Sequence, residues 1–312
     1  MVIEEALRQA TTALAAAENE SPRLDAEVLL AALLQKERLF LLLHRKDALP
    51  PDTERVFWEQ IDRRCSGEPV AYIIGRREFM SLSFAVRPGV LIPRPDTETL
   101  VEFVLEQCPK DRQAALLDIC TGSGAIAVSL AHYLPRARVT AWDISPVCLQ
   151  TATHNAAANG VADRVTVCVR DALLPFNETA CFDVIVSNPP YIPDAVIQTL
   201  APDVRDHEPH LALAGGKDGL VFYRHLVREA PKLLNPGGLL AFEVGHDQAE
   251  AVTAMLGQTG SFAAVGTRCD LAGVRRVVYG IYKKTKNSQK TLDPTAFFRY
   301  NNRMNGLCLQ LN

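Results

Sequence analysis

Phe182-Asp183-Val184-Ile185-Val186-Ser187-Asn188-Pro189-Pro190-Tyr191 is an apolar, β-branched run that stops at a pair of prolines. Such a run reads as a buried strand ending in a rigid loop. Each proline fixes its own φ near about −65° and lacks an N–H, and a residue before proline is pushed to extended backbone. Asn188 therefore sits in a stiff loop at the carboxyl end of a strand, where open α/β sheets bind ligands. Its amide oxygen and the Pro189 carbonyl together can accept both hydrogens of a planar amino group, with the Tyr191 ring beside them. Taken alone, Asn-Pro-Pro-Tyr also fits a stiffened turn without chemistry. The upstream chain decides between the two.

Ala115-Leu116-Leu117-Asp118-Ile119 reads as a short buried strand, followed by Cys120-Thr121-Gly122-Ser123-Gly124-Ala125 and an apolar helix through Ile126, Val128 and Leu130. Glycines at a strand-to-helix turn let a ligand approach the backbone and leave helix N–H groups free. The spacing is not the Gly-x-Gly-x-x-Gly of a dinucleotide site, and Asp118 before the turn repels phosphate while suiting a cationic amino acid group. The next strand, Arg138-Val139-Thr140-Ala141-Trp142, ends in Asp143, placed to bind both hydroxyls of a ribose. Ser145-Pro146 caps the helix that follows, and Asn159-Gly160 stops it. A third strand, Val165-Thr166-Val167-Cys168-Val169, ends at Arg170-Asp171, where an acid accepts from an adenine amino group. Each acid alone is an ordinary strand-end residue. Their recurrence at successive strand ends is the signal.

The repeated β-α units predict an α/β fold with a doubly wound, mostly parallel sheet and right-handed crossovers. Residues 208–219 read as a loop region, 220–234 as a helix and 235–238 as a turn. Strands follow at 239–244, 262–265 and 277–282. Residues 4–64 contain no glycine and have helical spacing, with Leu24, Val28, Leu29 and Ala32 on one face behind Ser21 and Pro22. Leu82, Phe84 and Val86 alternate with Ser83 and Ala85. Pro88-Gly89 then supplies a turn and Val90-Leu91-Ile92 runs back, which predicts a hairpin. Asp96 is the expected cap of the following helix. The domains are thus a helical bundle at 1–76, a hairpin linker with the first helix at 77–111, the α/β domain at 112–282 and a polar, disordered tail at 283–312.

The chain of 312 residues is 48% hydrophobic and 22% charged, the composition of a globular protein with a sizeable core. A net charge of −3 argues against broad, nonspecific phosphate contacts, so no direct nucleic-acid binding is expected. Eight cysteines without a Cys-x-x-Cys pair suggest neither a metal site nor a disulfide framework and fit a reducing compartment. The acidic start is unlike a signal peptide, and the apolar runs at 28–34 and 39–43 are too short to span a bilayer. These features predict a cytoplasmic protein without a membrane partner.

Together these pieces resemble the class I S-adenosylmethionine-dependent methyltransferases, and more closely the HemK/PrmC family of release factor glutamine methyltransferases. The resemblance runs over residues 21–282. It is carried by Gly67-Glu68-Pro69-Val70-Ala71-Tyr72-Ile73-Ile74-Gly75, Leu91-Ile92-Pro93-Arg94-Pro95-Asp96-Thr97-Glu98, the Asp118 to Ala127 segment, and Asn188-Pro189-Pro190-Tyr191. Asn-Pro-Pro-Tyr alone is shared with nucleic-acid amino methyltransferases; the Leu-Ile-Pro-Arg-Pro segment behind a helical domain narrows it. The resemblance implies a Rossmann-like fold, S-adenosylmethionine as cofactor, and class I peptide chain release factors as protein partner, methylated on the glutamine of their Gly-Gly-Gln motif. It further implies that Cys120, Thr121, Gly122, Ser123 and Gly124 hold the methionine part, Asp143 the ribose, and Asp171 with Ala172 the adenine surroundings. Asn188, Pro189, Pro190 and Tyr191 would hold the glutamine, with Asn188, Pro189 and Tyr191 catalytic. Two departures stand out: Cys120 where the family often has glycine, and Gly273-Val274-Arg275-Arg276 where Gly-Arg-Asp-Arg is usual. A ribosomal-protein glutamine, a nucleic-acid base and a non-catalytic cofactor-binding role are the alternatives.

Overall fold

Two short strands, β1 (Arg76–Phe79) and β2 (Leu82–Ala85), pair in the computed structural model, which describes residues 1–177 and 182–283. Their turn is Met80-Ser81, with φ of +50° and +57°. Left-handed backbone at both central residues matches the twist of the strands it joins. The hairpin expected around Pro88-Gly89 does not form. Val90 and Ile92 are buried outside any strand, where the Tyr72 hydroxyl donates to the Val90 carbonyl (2.6 Å) and the Ile92 N–H donates to Glu208 (3.2 Å). Side chains thus satisfy backbone groups that a ladder would have used. Met and Ser are not the Asn, Asp or Gly that favour left-handed backbone in such a turn, so the local sequence does not mark it.

The chain falls into two units, one of residues 1–77, 85–92 and 197–210, the other of 78–84, 93–196 and from 211 on. The first contains helices Ile3–Ala16, Pro22–Leu34, Arg38–Leu43 and Pro51–Cys65, packed around Leu14, Leu29, Leu30, Phe57 and Ile61. The buried face of Pro22–Leu34 is Ala26, Leu29, Leu30 and Ala31; Leu24 is exposed, contrary to the expected face. Both faces of this helix are apolar, so periodicity alone does not choose between them. Ser21 is the N-cap position and Pro22 the first helical residue, but the Ser21 hydroxyl makes no capping bond. A half-hidden ion pair, Arg64 to Asp25 at 2.8 Å, ties two of these helices.

The second unit is built on β3 (Ala114–Ile119), β4 (Ala137–Asp143), β5 (Val165–Val169), β6 (Phe182–Ser187), β7 (Leu234–Glu243), β8 (Phe262–Cys269) and β9 (Arg275–Tyr282). They form one sheet in the order β5-β4-β3-β6-β7-β9-β8, parallel except for β9, which runs antiparallel to both neighbours. Successive residues of the central strands enter different cores: Leu116 and Val184 one, Leu117 and Ile185 the other. Helices Pro95–Gln107, Ala125–Tyr133 and Pro146–Ala158 supply the first core, and Val221–Glu229 and Ala249–Gln258 the second. Covering both faces is what lets the strands be apolar runs rather than alternating ones.

Several boundaries differ from expectation. The Pro95–Gln107 helix has Arg94 as N-cap, and Asp96 lies inside its first turn. Pro95 sets the first helical residue and so moves the cap back. The helix expected over 220–234 ends at Glu229, before Pro231, and β7 begins at Leu234 with residues 235–238 bulged out: Phe182 pairs with Leu234, but Val184 pairs with Leu239. The short helix His210–Leu213 stands inside the expected loop region, and two more, Asp194–Ile197 and Pro202–His207, precede it. Among the described residues, no helix is long and apolar enough to cross a membrane. The polar tail from 284 on lies outside the described residues.

Exposed Ser81 bears left-handed backbone that glycine adopts freely. Ser81→Gly is expected to raise stability by about 0.5–1 kcal/mol, net of the greater freedom of the unfolded chain. Urea unfolding reads this, and a loss of stability would contradict the turn geometry.

Candidate active site

The carboxyl ends of four parallel strands lie side by side: Ile119 of β3 pairs with Trp142 of β4 and with Ser187 of β6, and Asp143 of β4 with Val169 of β5. The strand order reverses at β3, which is followed by β4 on one side and later by β6 on the other. A crevice at such a switch point is where open α/β sheets place ligands. The Ser187 hydroxyl donates to the Ile119 carbonyl at 2.6 Å and joins the two diverging strands at this point.

The glycine turn leaves β3 here. Cys120, Gly122 and Gly124 have φ of +64°, +57° and +81°. Only Cys120 bears this conformation at a steric cost, at the position where the motif it resembles often has glycine. Burial and the neighbouring Asp143 and Asp118 push its thiol pKa well up, so it stays protonated. The two glycines do different work. A Cβ on Gly124 would lie 3.0 Å from the Ala152 Cβ, so this glycine lets two helices approach; a Cβ on Gly122 would meet nothing within 4 Å, which leaves bare backbone beside open space. Asn155, fully buried, donates to the Ser123 carbonyl at 2.8 Å.

Asp118 anchors the turn from below. One oxygen, Oδ2, accepts from the Thr121 hydroxyl (2.6 Å) and the Ala127 N–H (3.2 Å). The other, Oδ1, is buried and has no hydrogen-bond partner among the described residues. Burial pushes this carboxyl up to about 7, against the pull of those two donors. Asp143 ties the turn from β4, its Oδ2 accepting from the Gly122 N–H (2.8 Å) and its Oδ1 from the Ser145 N–H (2.9 Å). Burial raises its pKa while those N–H groups hold it down. Asp171 follows β5, two strands from β3, next to the buried Ala172, and accepts the Leu173 N–H at 2.8 Å.

On the other side of the switch point stands the Asn188 loop. Pro189 and Pro190 are buried, and the Asn188 side-chain nitrogen donates to the Thr97 hydroxyl at 3.1 Å. Gln248 fixes the end of the loop, donating to the Tyr191 carbonyl at 2.8 Å. Glycines are required alongside: a Cβ on Gly215 would fall 2.7 Å from the Tyr191 Cα, and one on Gly219 2.3 Å from the Tyr191 carbonyl oxygen. Burial, then the nearby Glu243 charge, pushes the Tyr191 hydroxyl above its usual range. Glu243 ends β7, beside β6, and is 1% exposed; burial lifts it to about 7, while hydrogen bonds from Thr97 and Asn188 and the Arg276 charge oppose the rise. Arg276 bridges Asp96 (2.9 Å) and Asp270 (3.4 Å), so the departure in the Gly273 to Arg276 run still leaves an arginine tied to this corner.

The residues singled out from sequence therefore gather at neighbouring strand ends. Thr97, Asn155, Glu243 and Gln248 were not singled out. Thr97 lies inside the Leu91 to Glu98 motif, and a carboxylate closing an apolar strand was the signal available for Glu243. Asn155 and Gln248 offered none, since an isolated amide in a helix or loop is an ordinary surface residue.

The sheet order, the glycine turn at its switch point and the Asn-Pro-Pro-Tyr loop on the adjacent strand define a methyltransferase of the class I fold. The methyltransferase small domain family model matches residues 86–205, and the PrmC N-terminal domain model matches residues 5–75. Release factor glutamine methyltransferase of Moorella thermoacetica is 49% identical over 273 residues, covering 88% of this chain and 96% of that one. Those of Clostridium acetobutylicum and Geobacter sulfurreducens are 40% and 45% identical, over 90% and 84% of this chain and 99% and 90% of theirs. The chain belongs to the release factor glutamine methyltransferase family.

Asp118 gives a pH test. Its folded value of about 7 lies above the model-peptide value of about 3.9, so its contribution to stability is complete below about pH 4 and is lost as the pH rises through 7. Asp118→Asn, always neutral, should gain on the wild type by up to about 1.4 kcal/mol per pH unit between pH 5 and 7 and then level off. Urea titrations at several pH values read this. A pH-independent difference would show that the carboxyl titrates normally.

Proposed function

We propose that this protein transfers the methyl group of S-adenosylmethionine to the side-chain amide nitrogen (N5) of a glutamine, that of the Gly-Gly-Gln motif in class I peptide chain release factors. The observation that carries the reading is the adjacency of two half-sites. The Asn188-Pro189 loop and the glycine turn leave neighbouring parallel strands whose last residues, Ser187 and Ile119, are hydrogen-bonded at 2.6 Å. The names of the relatives supply the choice of substrate.

The residues fit the cofactor. Asp118, with one partnerless buried oxygen, suits a cationic amino group, and the bare backbone at Gly122 admits close approach. Cys120 to Gly124 would hold the methionine part. Asp143, which ends β4 beside the turn, would take the ribose hydroxyls, and Asp171 with Ala172 would border the adenine. When bound, the cofactor supplies a methyl group on a cationic sulfur, a good leaving group.

The chain's own residues must make an amide nitrogen nucleophilic. That nitrogen shares its lone pair with the carbonyl, so it attacks poorly in solution. The Asn188 amide oxygen and the Pro189 carbonyl accept the two N–H bonds and favour a pyramidal nitrogen whose lone pair points away from both. Tyr191 borders the same loop and lends an aromatic wall. Orientation supplies most of the acceleration, because well-aligned groups reach effective molarities of about 10⁵–10⁸ M. The alkylated nitrogen is acidic and sheds its proton to solvent, so no dedicated base is required. The reaction belongs in the cytoplasm and needs no direct contact with nucleic acid or membrane.

Purified protein, methyl-labelled S-adenosylmethionine and a release factor test this directly. Label is expected in the wild-type factor and absent when the motif glutamine is replaced. No transfer despite demonstrated cofactor binding would end the assignment. Asn188→Ala should lower turnover by about 10²–10³ with cofactor affinity retained, as for other lost preorganised hydrogen-bonding groups.

A further inference from the structure

An asparagine amide has two ends of nearly the same shape, and only the oxygen end can accept from a substrate N–H. The loop of Asn188 is stiffened by Pro189 and Pro190, but prolines fix the backbone and leave the side-chain amide free to turn over. Something else must choose which end meets the substrate. The surroundings of Asn188 contain the means. Its Nδ2 donates to the Thr97 hydroxyl at 3.1 Å, and both Thr97 and Asn188 direct hydrogen bonds to Glu243. Thr97 and Glu243 are 5% and 1% exposed, so water does not compete for these bonds. Oε2 of Glu243 has no hydrogen-bond partner among the described residues, which leaves Oε1 to take both donors.

Resting on the function proposed above, we propose that Glu243, acting with Thr97, is a positioning residue that holds the nitrogen end of the Asn188 amide inward and so presents its oxygen to the substrate amide. The argument is one of hydrogen-bond polarity. Oε1 only accepts, both in the ionised carboxylate and when the proton sits on Oε2, so it takes the Nδ2 end and rejects the oxygen end. Thr97 extends the same polarity: its hydroxyl gives its one hydrogen to Glu243 and is left with lone pairs that accept from Nδ2. The two Nδ2 hydrogens are both used, and the single group of Asn188 left for a ligand is its oxygen. Turning the amide over would set Oδ1 against a carboxylate in a buried site, a costly clash of acceptors. Arg276, itself held between Asp96 and Asp270, contributes the positive charge that favours the ionised form of Glu243. The Tyr223 hydroxyl donates to the Glu243 backbone carbonyl at 2.8 Å, and burial, with the Glu243 charge beside it, pushes the Tyr191 and Tyr223 hydroxyls above their usual range.

Two measurements test the assignment. In steady-state methylation of a release factor, Glu243→Gln keeps the shape but supplies a donor as well as an acceptor. It should lower kcat by about ten- to a hundredfold, with KM for the factor and cofactor affinity within about threefold of wild type. Thr97→Ser should keep activity within about threefold and Thr97→Val should lose about tenfold or more. A Glu243→Gln protein with wild-type kcat would overturn the proposal, and so would a Thr97→Ser protein as impaired as Thr97→Val, which would point to packing alone. The second measurement needs no turnover. The Asn188 side-chain NH2 signals, assigned in the NMR spectrum by their loss in Asn188→Ala, should exchange with solvent at least about tenfold faster in Glu243→Gln than in wild type. Equal exchange rates would refute the positioning role even if the release factor proves not to be the substrate. Failure of the wild type to label the factor would count against the proposed function alone.

Discussion

The structure depends on how two parallel strands part company. β3 and β6 are hydrogen-bonded neighbours up to Ile119 and Ser187, and beyond that pair their chains go to opposite sides of the sheet. Backbone groups at such a divergence lose their ladder partners and must be satisfied otherwise or left for a ligand. Here the Ser187 hydroxyl takes the Ile119 carbonyl, and the Thr121 N–H reaches across to the Trp142 carbonyl at 2.9 Å. The glycine turn, with its left-handed residues, follows from the need to leave the strand and enter the Ala125–Tyr133 helix within a few residues. The gap between the diverging chains is the crevice of the candidate site.

Two buried carboxyl groups hold the two walls of that crevice, and they do so in the same physical way. Asp118 sits under the glycine turn and Glu243 behind the Asn188 loop, and burial lifts each to about 7. Each also keeps one oxygen without a hydrogen-bond partner among the described residues. A buried carboxyl of this kind is expensive for the fold and persists where its directional acceptors are needed to orient something else. For Asp118 the oriented groups are the Thr121 hydroxyl and the Ala127 N–H; for Glu243 they are Thr97 and Asn188. The glycines at 215 and 219 add a steric counterpart, because no side chain fits between them and the Tyr191 backbone.

The strands and the candidate site at their ends were largely readable in advance, because buried parallel strands are continuous apolar runs and their ends are punctuated by Gly, Pro and acids. The strand readings at Asp118, Asp143, Asp171 and Asn188 fall at one sheet edge in the structure. What was misread was local. The hairpin turn lies at Met80-Ser81 rather than Pro88-Gly89, since tertiary hydrogen bonds, one from the Tyr72 hydroxyl and one to the Glu208 carboxylate, absorb the segment after the Pro-Gly. The inward face of Pro22–Leu34 was chosen by packing partners on other helices, which a helix apolar on several sides does not reveal.

By itself, the sequence determined the period and order of the elements, the rigid backbone of the Asn188 loop and the small residues of the turn. All of these follow from the steric limits of individual residues and of their immediate neighbours. Only the tertiary structure decided what stands behind the Asn188 amide. Thr97, Asn188 and Glu243 are far apart in the chain and meet because three separate elements converge at one corner of the sheet. Which end of an amide faces a ligand depends on hydrogen-bond partners brought from a distance, and a linear pattern carries no record of them.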